Sequence, residues 1–218
     1  MIWLLEQIET IEPQRILSSI SGLSAERQKR LSAYRSEAAK MQSVLAELLL
    51  RHALLRERGM KELPALRFTE LGKPYFPTLP DCRFNLSHSR TAVACALDRS
   101  PVGVDVQELR RYDQRLARVL SEEERAWVEK EHSNARFTQL WTLKEAYGKK
   151  RGQGILYDLR SVTLLPQGET WRALDCVFQS YARQDCYLTV CAERELPFHV
   201  LTPEELFEEE STCLTQSK

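Results

Sequence analysis

Two neighbouring segments of small and branched apolar residues, 91–97 and 101–107, constrain the fold more than any other part of the sequence. The first is apolar on both faces, which predicts a strand buried on both sides, and the turn residues between the segments predict a β-hairpin. The second alternates valines with other side chains: Val102, Val104 and Val106 on one face, and Gly103, Asp105 and Gln107 on the other. An aspartate in such a strand is costly to bury unless it is paired or bound to a cation. Asp105 therefore marks either a charged site or a strand face that meets solvent.

Composition limits the classes of protein to which the chain can belong. Its 218 residues carry 31 lysines and arginines against 31 aspartates and glutamates, and a net charge of zero argues against a nucleic-acid-binding protein that is basic throughout. The hydrophobic fraction of 43% is typical of a globular protein with its own core. The six cysteines form no Cys-x-x-Cys pair and are expected to be reduced thiols. Without a signal peptide or an apolar run of about 18 residues, we expect a cytoplasmic protein that does not contact a membrane.

Helix and strand patterns alternate without the regular βαβ rhythm of a doubly wound sheet, so we expect an α+β fold. Helices are predicted within 24–58, after the capping box of Ser121 and Glu124, over 135–150 and, frayed, around 204–210. Strands are predicted at 1–5, 91–97, 101–107, 161–165, 171–179 and 187–191. The proline-rich stretch 63–80 is expected to form loops around short extended pieces.

The predicted helix over 135–150 carries charges in an unusual arrangement. Its apolar stripe is formed by Phe137, Leu140, Leu143 and Tyr147. Trp141, Glu145 and Lys149 form a ridge along the edge of that stripe. A surface ion pair would account for Glu145 and Lys149. It would not account for Lys144, which falls inside the apolar stripe and needs an anion or water for its ammonium.

A short polar cluster, Asn-Leu-Ser-His-Ser at 85–89, precedes the first apolar strand. Adjacent residues of an extended chain point to opposite faces, so Ser87 and His88 cannot act together as a nucleophile and its base. The four histidines of the chain lack the spacings of a zinc site. A structural role, or a contact to a phosphate or an amide, fits His88 better.

Four motifs follow one another along the chain: Gly-Lys-Pro at 72–74, Phe-Asn-Leu-Ser-His-Ser at 84–89, Val-Gly-Val-Asp-Val at 102–106 and Trp-Thr-Leu-Lys-Glu-Ala-Tyr-Gly-Lys at 141–149. In this order and spacing they resemble the 4'-phosphopantetheinyl transferases of the surfactin-synthetase-activating type, and the likeness extends over about residues 24–192. The resemblance implies two similar α+β halves, 1–105 and 106–218, related by a pseudo-twofold axis, with the active site in the cleft between them. It also implies Mg²⁺-dependent transfer of the 4'-phosphopantetheine arm of coenzyme A to a serine of an apo acyl or peptidyl carrier protein, with release of adenosine 3',5'-bisphosphate.

The same resemblance implies roles for individual residues at the reacting phosphate. Asp105 and Glu145 would bind Mg²⁺, and Glu145 would also take the proton of the carrier serine. Lys149 would stabilise the phosphoryl oxygens, and Lys144 would contact the phosphate or organise the site. Many relatives carry an acid at the position of Gln107, which we keep as a candidate Mg²⁺ ligand without charge.

Contacts with coenzyme A and with the carrier are implied in the same way. The residues that would hold coenzyme A are Arg27 and Arg30 at the 3'-phosphate, and Lys73, Ser87 and His88 at the other phosphates and the nucleotide. Residues 22–58 carry eight basic side chains against four acidic ones, a surplus that would suit an acidic carrier protein. The carrier is expected to contact the loop at 152–161, and two halves that close their own cleft suggest a monomer.

Two other functions stay open at this point. A degenerate relative would bind coenzyme A or a carrier protein without transfer, and the missing acid at Gln107 would be its lesion. An unrelated Mg²⁺-dependent phosphohydrolase would use the same acids and lysines, but it would not need the Gly-Lys-Pro and Asn-Leu-Ser-His motifs.

Overall fold

The computed structural model of the protein describes residues 1–23, 25–113, 115–153, 159–167, 171–173 and 176–208. Its main helices are α1 (Pro13–Ser18), α2 (Ala25–Leu31), α3 (Glu37–Arg58), α4 (Glu122–Lys130) and α5 (Ser133–Arg151). Its strands are β1 (Ile2–Glu6), β2 (Arg67–Phe68), β3 (Pro74–Tyr75), β4 (Arg83–His88), β5 (Ala92–Asp98), β6 (Gly103–Gln107), β7 (Trp171–Ala173), β8 (Cys176–Ala182), β9 (Tyr187–Ala192) and β10 (Phe198–Leu201). The mixed α+β class is confirmed. Across these ranges, no helix combines the length and the apolar character that crossing a membrane requires.

Two four-stranded sheets form the framework. The first has the order β10-β1-β5-β4, with β10 parallel to β1, and the second has the antiparallel order β6-β9-β8-β7. A small third sheet pairs β2 with β3. Strand pairing crosses the expected boundary at residue 105, because β6 belongs to the second sheet and β10 returns to the first. The division into halves 1–105 and 106–218 and their pseudo-twofold relation stay predictions.

The predicted hairpin between residues 91–97 and 101–107 is wrong, although both strands exist. Strand β5 pairs with β1 along one edge and with β4 along the other, whereas β6 pairs with β9. Because both edges of β5 are taken, β6 cannot join it in one sheet. The prediction that the first strand is buried on both faces is confirmed along the whole of β5.

Three apolar cores hold the sheets and helices together. The buried leucines of α3 pack with Trp3, Leu5 and Val93 of the first sheet, and the buried face of α5 packs with Phe178 and Cys191 of the second. The third core lies between the two sheets, where the valines of β6 meet the alanines of β5. The polar face of β6 is therefore turned towards α5. The cysteines in the described part of the chain are free and buried.

Gly103 allows α5 to approach β6 very closely. A Cβ atom at Gly103 would lie 2.0 Å from the carbonyl oxygen of Ala146 and 2.4 Å from the amide nitrogen of Lys150, which is too close for any side chain. A hydrogen bond of 2.8 Å between the hydroxyls of Thr142 and Thr189 fixes the same helix to β9. This packing brings the charged ridge of α5 next to the strand that carries Asp105.

The capping box at the start of α4 is confirmed, whereas the strand predicted for 161–165 is wrong. Glu124 donates its N–H to the Ser121 hydroxyl, and its carboxylate accepts the N–H of Ser121. The chain at 161–165 instead leaves a 3-10 turn, Leu159–Ser161, and runs on irregularly. The strand predicted over 171–179 is two strands, β7 and β8, and residues 174–175 lie outside the described residues. Residues 203–208 of the predicted terminal helix are helical, and its last two residues lie outside the described part.

Candidate active site

The Asp105 carboxylate lies at the centre of a buried polar network between β4, β6 and α5. Its Oδ1 atom is 2.6 Å from the Lys149 ammonium and accepts a hydrogen bond of 3.0 Å from the Ser87 hydroxyl. Lys149 also donates to the Ser87 oxygen at 3.0 Å, so the three side chains form a closed triangle. The second oxygen of Asp105, Oδ2, is buried and accepts no hydrogen bond from any described residue. A buried carboxylate oxygen without a donor is suited to binding a cation.

Glu145 lies on the same face of α5 as Lys149, one helical turn before it. Burial raises the pKa of the Glu145 carboxyl, and the negative charge of Asp105 raises it further, while the nearby cations Lys149 and Arg110 act against this shift. The Glu145 carboxyl therefore lies within electrostatic reach of the Asp105 carboxylate. A raised pKa also suits a carboxylate that accepts a proton near neutral pH.

Gln107 stands two residues after Asp105 and shares its strand face. Its amide nitrogen donates to Glu108 at 3.3 Å, which leaves the amide oxygen as the atom available to a metal. Glu108 itself accepts the N–H of Thr91 at 3.0 Å, so its carboxylate is held against the turn between β4 and β5. Within the described ranges, no group of three or more histidine, cysteine, aspartate or glutamate side chains could hold a metal ion.

Lys144 points away from this network. Its ammonium pairs with Glu124 at 2.9 Å and donates to the carbonyl oxygens of Leu159 and Val162, each at 2.6 Å. Glu124 was recognised in the sequence only as a helix cap, and nothing in the spacing indicated that its Oε1 would be the anion that Lys144 needs. Among the described residues, the Lys144 ammonium is therefore held by Glu124 and by two backbone carbonyl oxygens.

A cavity of about 590 Å³ lies at the carboxyl end of α5, and its lining includes Lys73, Arg83, Phe84, Lys150 and Arg151. The Lys73 ammonium donates to the carbonyl oxygens of Lys149, Val102 and Lys150, at 2.5, 3.2 and 3.3 Å. Burial, helped by the charge of Arg83, lowers the pKa of Lys73 to about 8. Lys73 thus joins the cavity to the end of the helix that carries Glu145 and Lys149.

Arg27 and Arg30 line a second cavity, of about 390 Å³, and not the one that Lys73 lines. The Arg27 guanidinium pairs with Glu47 at 2.7 Å and donates to the Ser43 hydroxyl at 2.5 Å. The Arg30 guanidinium lies over the Phe68 ring, 3.7 Å from its centre. Both cations are therefore fixed in place by the protein itself.

His88, the last residue of β4, lies within electrostatic reach of the Asp105 network. Partial burial and the Lys149 charge lower the pKa of His88, while Asp105 acts in the opposite direction. Arg110 is a neighbour that the sequence did not single out. Its guanidinium lies 4.2 Å from the centre of the Trp141 ring, on the helix that carries Glu145. None of the motifs singled out in the sequence includes Arg110.

Comparison with known proteins shows the family to which the chain belongs. A family model described as the 4'-phosphopantetheinyl transferase superfamily matches residues 101–191, which include Asp105, Glu145 and Lys149. The chain is 32% identical to the 4'-phosphopantetheinyl transferase psf-1 of Bacillus pumilus, over 87% of this chain and 83% of that protein. It is 32% identical to the 4'-phosphopantetheinyl transferase Sfp of Bacillus subtilis strain 168, over 70% and 69%. It is 35% identical to the 4'-phosphopantetheinyl transferase AcpT of Salmonella typhi, over 68% and 79%.

The chain belongs to the 4'-phosphopantetheinyl transferase superfamily. It is a transferase enzyme of that class, as its motifs predicted. The structure brings Ser87, Asp105 and Lys149 into direct contact and sets Glu145 beside them. It places Lys73 at the end of α5, Lys144 in a separate buried pair, and Arg27 and Arg30 at another cavity.

Proposed function

We propose that the protein transfers the 4'-phosphopantetheine arm of coenzyme A to a serine of an apo carrier protein in a Mg²⁺-dependent reaction. The observation that carries this proposal is the Asp105 carboxylate, whose Oδ1 is held by Lys149 and Ser87 while its buried Oδ2 accepts no hydrogen bond within the described residues. The donor set fits a hard divalent cation, because carboxylate and amide oxygens are the ligands that Mg²⁺ prefers. Asp105, Glu145 and the amide oxygen of Gln107 would hold it.

In the reaction, the carrier serine attacks the β-phosphorus of coenzyme A. A bond forms between the serine oxygen and that phosphorus, the bond from the phosphorus to the bridging oxygen breaks, and adenosine 3',5'-bisphosphate leaves with the electron pair. Glu145 takes the serine proton, directly or through a water molecule. Bound Mg²⁺ would supply positive charge to the pyrophosphate oxygens. Lys149, already beside Asp105, adds a further positive charge where the phosphoryl oxygens gain negative charge.

Coenzyme A would extend from this network along the basic side chains of the first half. The two cavities, lined by Lys73 and by Arg27 and Arg30, support binding of its phosphates and nucleotide on that side. Arg27 and Arg30 would hold the 3'-phosphate from positions that are already fixed, which lowers the entropy cost of binding. His88, which lies within electrostatic reach of Lys149, would contact a phosphate of coenzyme A. Lys144 would organise α5 through its ion pair with Glu124 and would not contact the phosphate.

The carrier would meet the protein at the loop 152–161, with the basic residues of 22–58 assisting the encounter of an acidic partner. Residues 154–158 of this loop lie outside the described residues. The described end of the loop, Leu159–Ser161, is anchored to α5 through the Lys144 ammonium. We propose that the protein acts as a monomer, since two halves that close their own cleft need no second chain.

One assay separates this function from the two alternatives. The protein is incubated with coenzyme A and Mg²⁺, with and without a panel of apo carrier proteins, and the nucleotide products are separated by chromatography. Adenosine 3',5'-bisphosphate that appears only with a carrier, in equal amount to modified carrier, supports the transferase. Release without a carrier would indicate a phosphohydrolase. Tight binding of coenzyme A with no release on any carrier would indicate a degenerate relative and would overturn the proposal.

A further inference from the structure

Three side chains from earlier segments of the chain bond the backbone of β6 and of Val102, the residue before it, at alternate positions. The Lys73 ammonium donates to the carbonyl oxygen of Val102 at 3.2 Å. The Asn85 side-chain oxygen accepts the N–H of Val104 at 2.8 Å, and the Ser87 hydroxyl accepts the N–H of Val106 at 3.2 Å. Lys73, Asn85 and Ser87 are here called the strand clamp.

The strand clamp joins β4 to β6, two strands that no backbone pairing connects. Strand β4 is an edge of the first sheet and β6 is an edge of the second, and no backbone pairing joins them. Alternate N–H groups of a strand point to the same edge, and alternate side chains share one face, so Asn85 and Ser87 meet the N–H groups of Val104 and Val106 in register. Asn85 and Ser87 are 7% and 6% exposed. Without them, two buried N–H groups of β6 would lose their acceptors, which is costly.

We propose that the strand clamp fixes β6 against β4, in the register that its pairing with β9 also supports, and thereby places Asp105, and that Asn85 is a positioning residue of the transfer reaction. This inference rests on the proposed function of Asp105 as a metal ligand. Asp105 lies between the two clamped amides, so the backbone that carries its carboxylate can shift only if at least one of them is released. A shift by one residue would turn Asp105 into the valine core, because the side-chain period of a strand is two.

The clamp also assigns new roles to two residues whose motifs suggested contacts with coenzyme A. A serine hydroxyl has one donor and two acceptor positions. The Ser87 hydroxyl donates to Asp105 and accepts from Lys149 and Val106, so its capacity is already used. The Lys73 ammonium likewise donates to three backbone carbonyl oxygens. Both side chains therefore join β6 and α5 to the segments 67–75 and 83–88, and Lys73 would reach a phosphate of coenzyme A by exchanging one of these bonds for it.

Amide hydrogen exchange followed residue by residue by NMR tests the clamp without reference to activity. In Asn85→Leu, which is similar in size but has no acceptor, the Val104 amide should exchange at least about tenfold faster than in the wild type. In Asn85→Asp, which keeps an acceptor oxygen, its protection should be retained. In Ser87→Ala the Val106 amide should lose protection while Val104 keeps it, and this arm remains if Asn85→Leu does not fold. Unchanged protection of Val104 in Asn85→Leu would overturn the clamp.

Steady-state kinetics test the positioning role. Asn85→Leu should lower kcat by about tenfold and raise the Mg²⁺ concentration for half-maximal rate, with the KM for coenzyme A unchanged, and Asn85→Asp should restore most of the loss. Gln179→Leu is the matched control. The side-chain oxygen of Gln179, a residue of β8, also accepts a backbone N–H, that of Leu196 at 2.7 Å, and it has no contact with β6 among those described. Equal losses in Gln179→Leu and Asn85→Leu would contradict a positioning role. A wild-type protein that transfers nothing would instead refute the proposed function, while the exchange experiment would still decide on the clamp.

Discussion

The Glu124 carboxylate and the Lys144 ammonium form an ion pair that is almost completely removed from water. Their charged atoms are 2.9 Å apart, and the two side chains are 0% and 1% exposed. Glu124 also accepts the N–H groups of Ser121 and Leu164, at 2.8 and 2.6 Å. The pair therefore ties together the start of α4, the middle of α5 and the chain that follows the loop 152–161.

Breaking this pair from one side should destabilise the protein strongly. Lys144→Met leaves a buried carboxylate without its cation, and we expect a loss of about 3–5 kcal/mol in the free energy of unfolding. The double variant Glu124→Gln with Lys144→Met should recover part of that loss, because no buried charge is then left unpaired. Denaturant unfolding of both single variants and the double variant gives the coupling energy. Additive losses would show that the two side chains do not act as a pair.

The contact between β6 and α5 should tolerate no side chain at Gly103. Gly103→Ala would push α5 away from β6, since its Cβ would overlap the backbone of Ala146 and Lys150. We expect a loss of stability of about 1–3 kcal/mol or more, together with a fall in transfer rate as Glu145 and Lys149 move away from Asp105. Gly22→Ala is the control, because the nearest atom to its Cβ would be 4.0 Å away. Similar thermal midpoints and rates for the two variants would argue against this contact.

The lowered pKa of Lys73 gives the folded protein a distinct pH dependence. Its pKa falls from 10.5 to about 8 on folding, so between these values the unfolded chain binds more protons than the folded one. The contribution of Lys73 to the free energy of unfolding therefore rises as pH increases from about 8 to 10.5. Relative to Lys73→Met, the wild type should gain about 1–3 kcal/mol across this window, measured by urea unfolding at a series of pH values. A difference between the two proteins that stays constant with pH would contradict the assignment.

The substitution Gln107→Glu should strengthen the metal site. A second carboxylate on the Asp105 face of β6 adds negative charge where the cation would bind, although Glu108 next to it opposes the change. We expect the Mg²⁺ concentration for half-maximal transfer to fall by several-fold, and that for Gln107→Ala to stay the same or to rise. Titration of Mg²⁺ in the transfer assay measures both. Identical Mg²⁺ titration curves for the wild type and Gln107→Glu would contradict the role of Gln107 as a metal ligand.

Much of the site could be read from the sequence, because its residues obey simple periodicities. Alternation along β6 placed Asp105 opposite the valines, and the helical ridge placed Glu145 and Lys149 together. The capping box located the start of α4 for the same reason. Local patterns of this kind depend only on residues a few positions apart in the sequence, and the structure contains them where the sequence predicted them.

Contacts between distant segments could not be read in this way. The partner of Lys144 lies on another helix, twenty residues earlier, where Glu124 had a sufficient local explanation as a cap. The turn between β5 and β6 gave no sign that the two strands enter different sheets, since that depends on β1 and β4 having already filled both edges of β5. The bonds from Asn85 and Ser87 to β6 likewise arise only when the two sheet edges meet.

The central claim is that Asp105 and Glu145 direct the transfer of phosphopantetheine to a carrier serine. Intact-mass spectrometry of an apo carrier protein, after incubation with coenzyme A, Mg²⁺ and either the wild type or Glu145→Gln, tests it most directly. The wild type should add the mass of one phosphopantetheine group to the carrier, and this addition should be lost when the acceptor serine is replaced or when Glu145→Gln is used. A carrier that keeps its mass with the wild type across a panel of carriers, or that gains it equally with Glu145→Gln, would contradict the account.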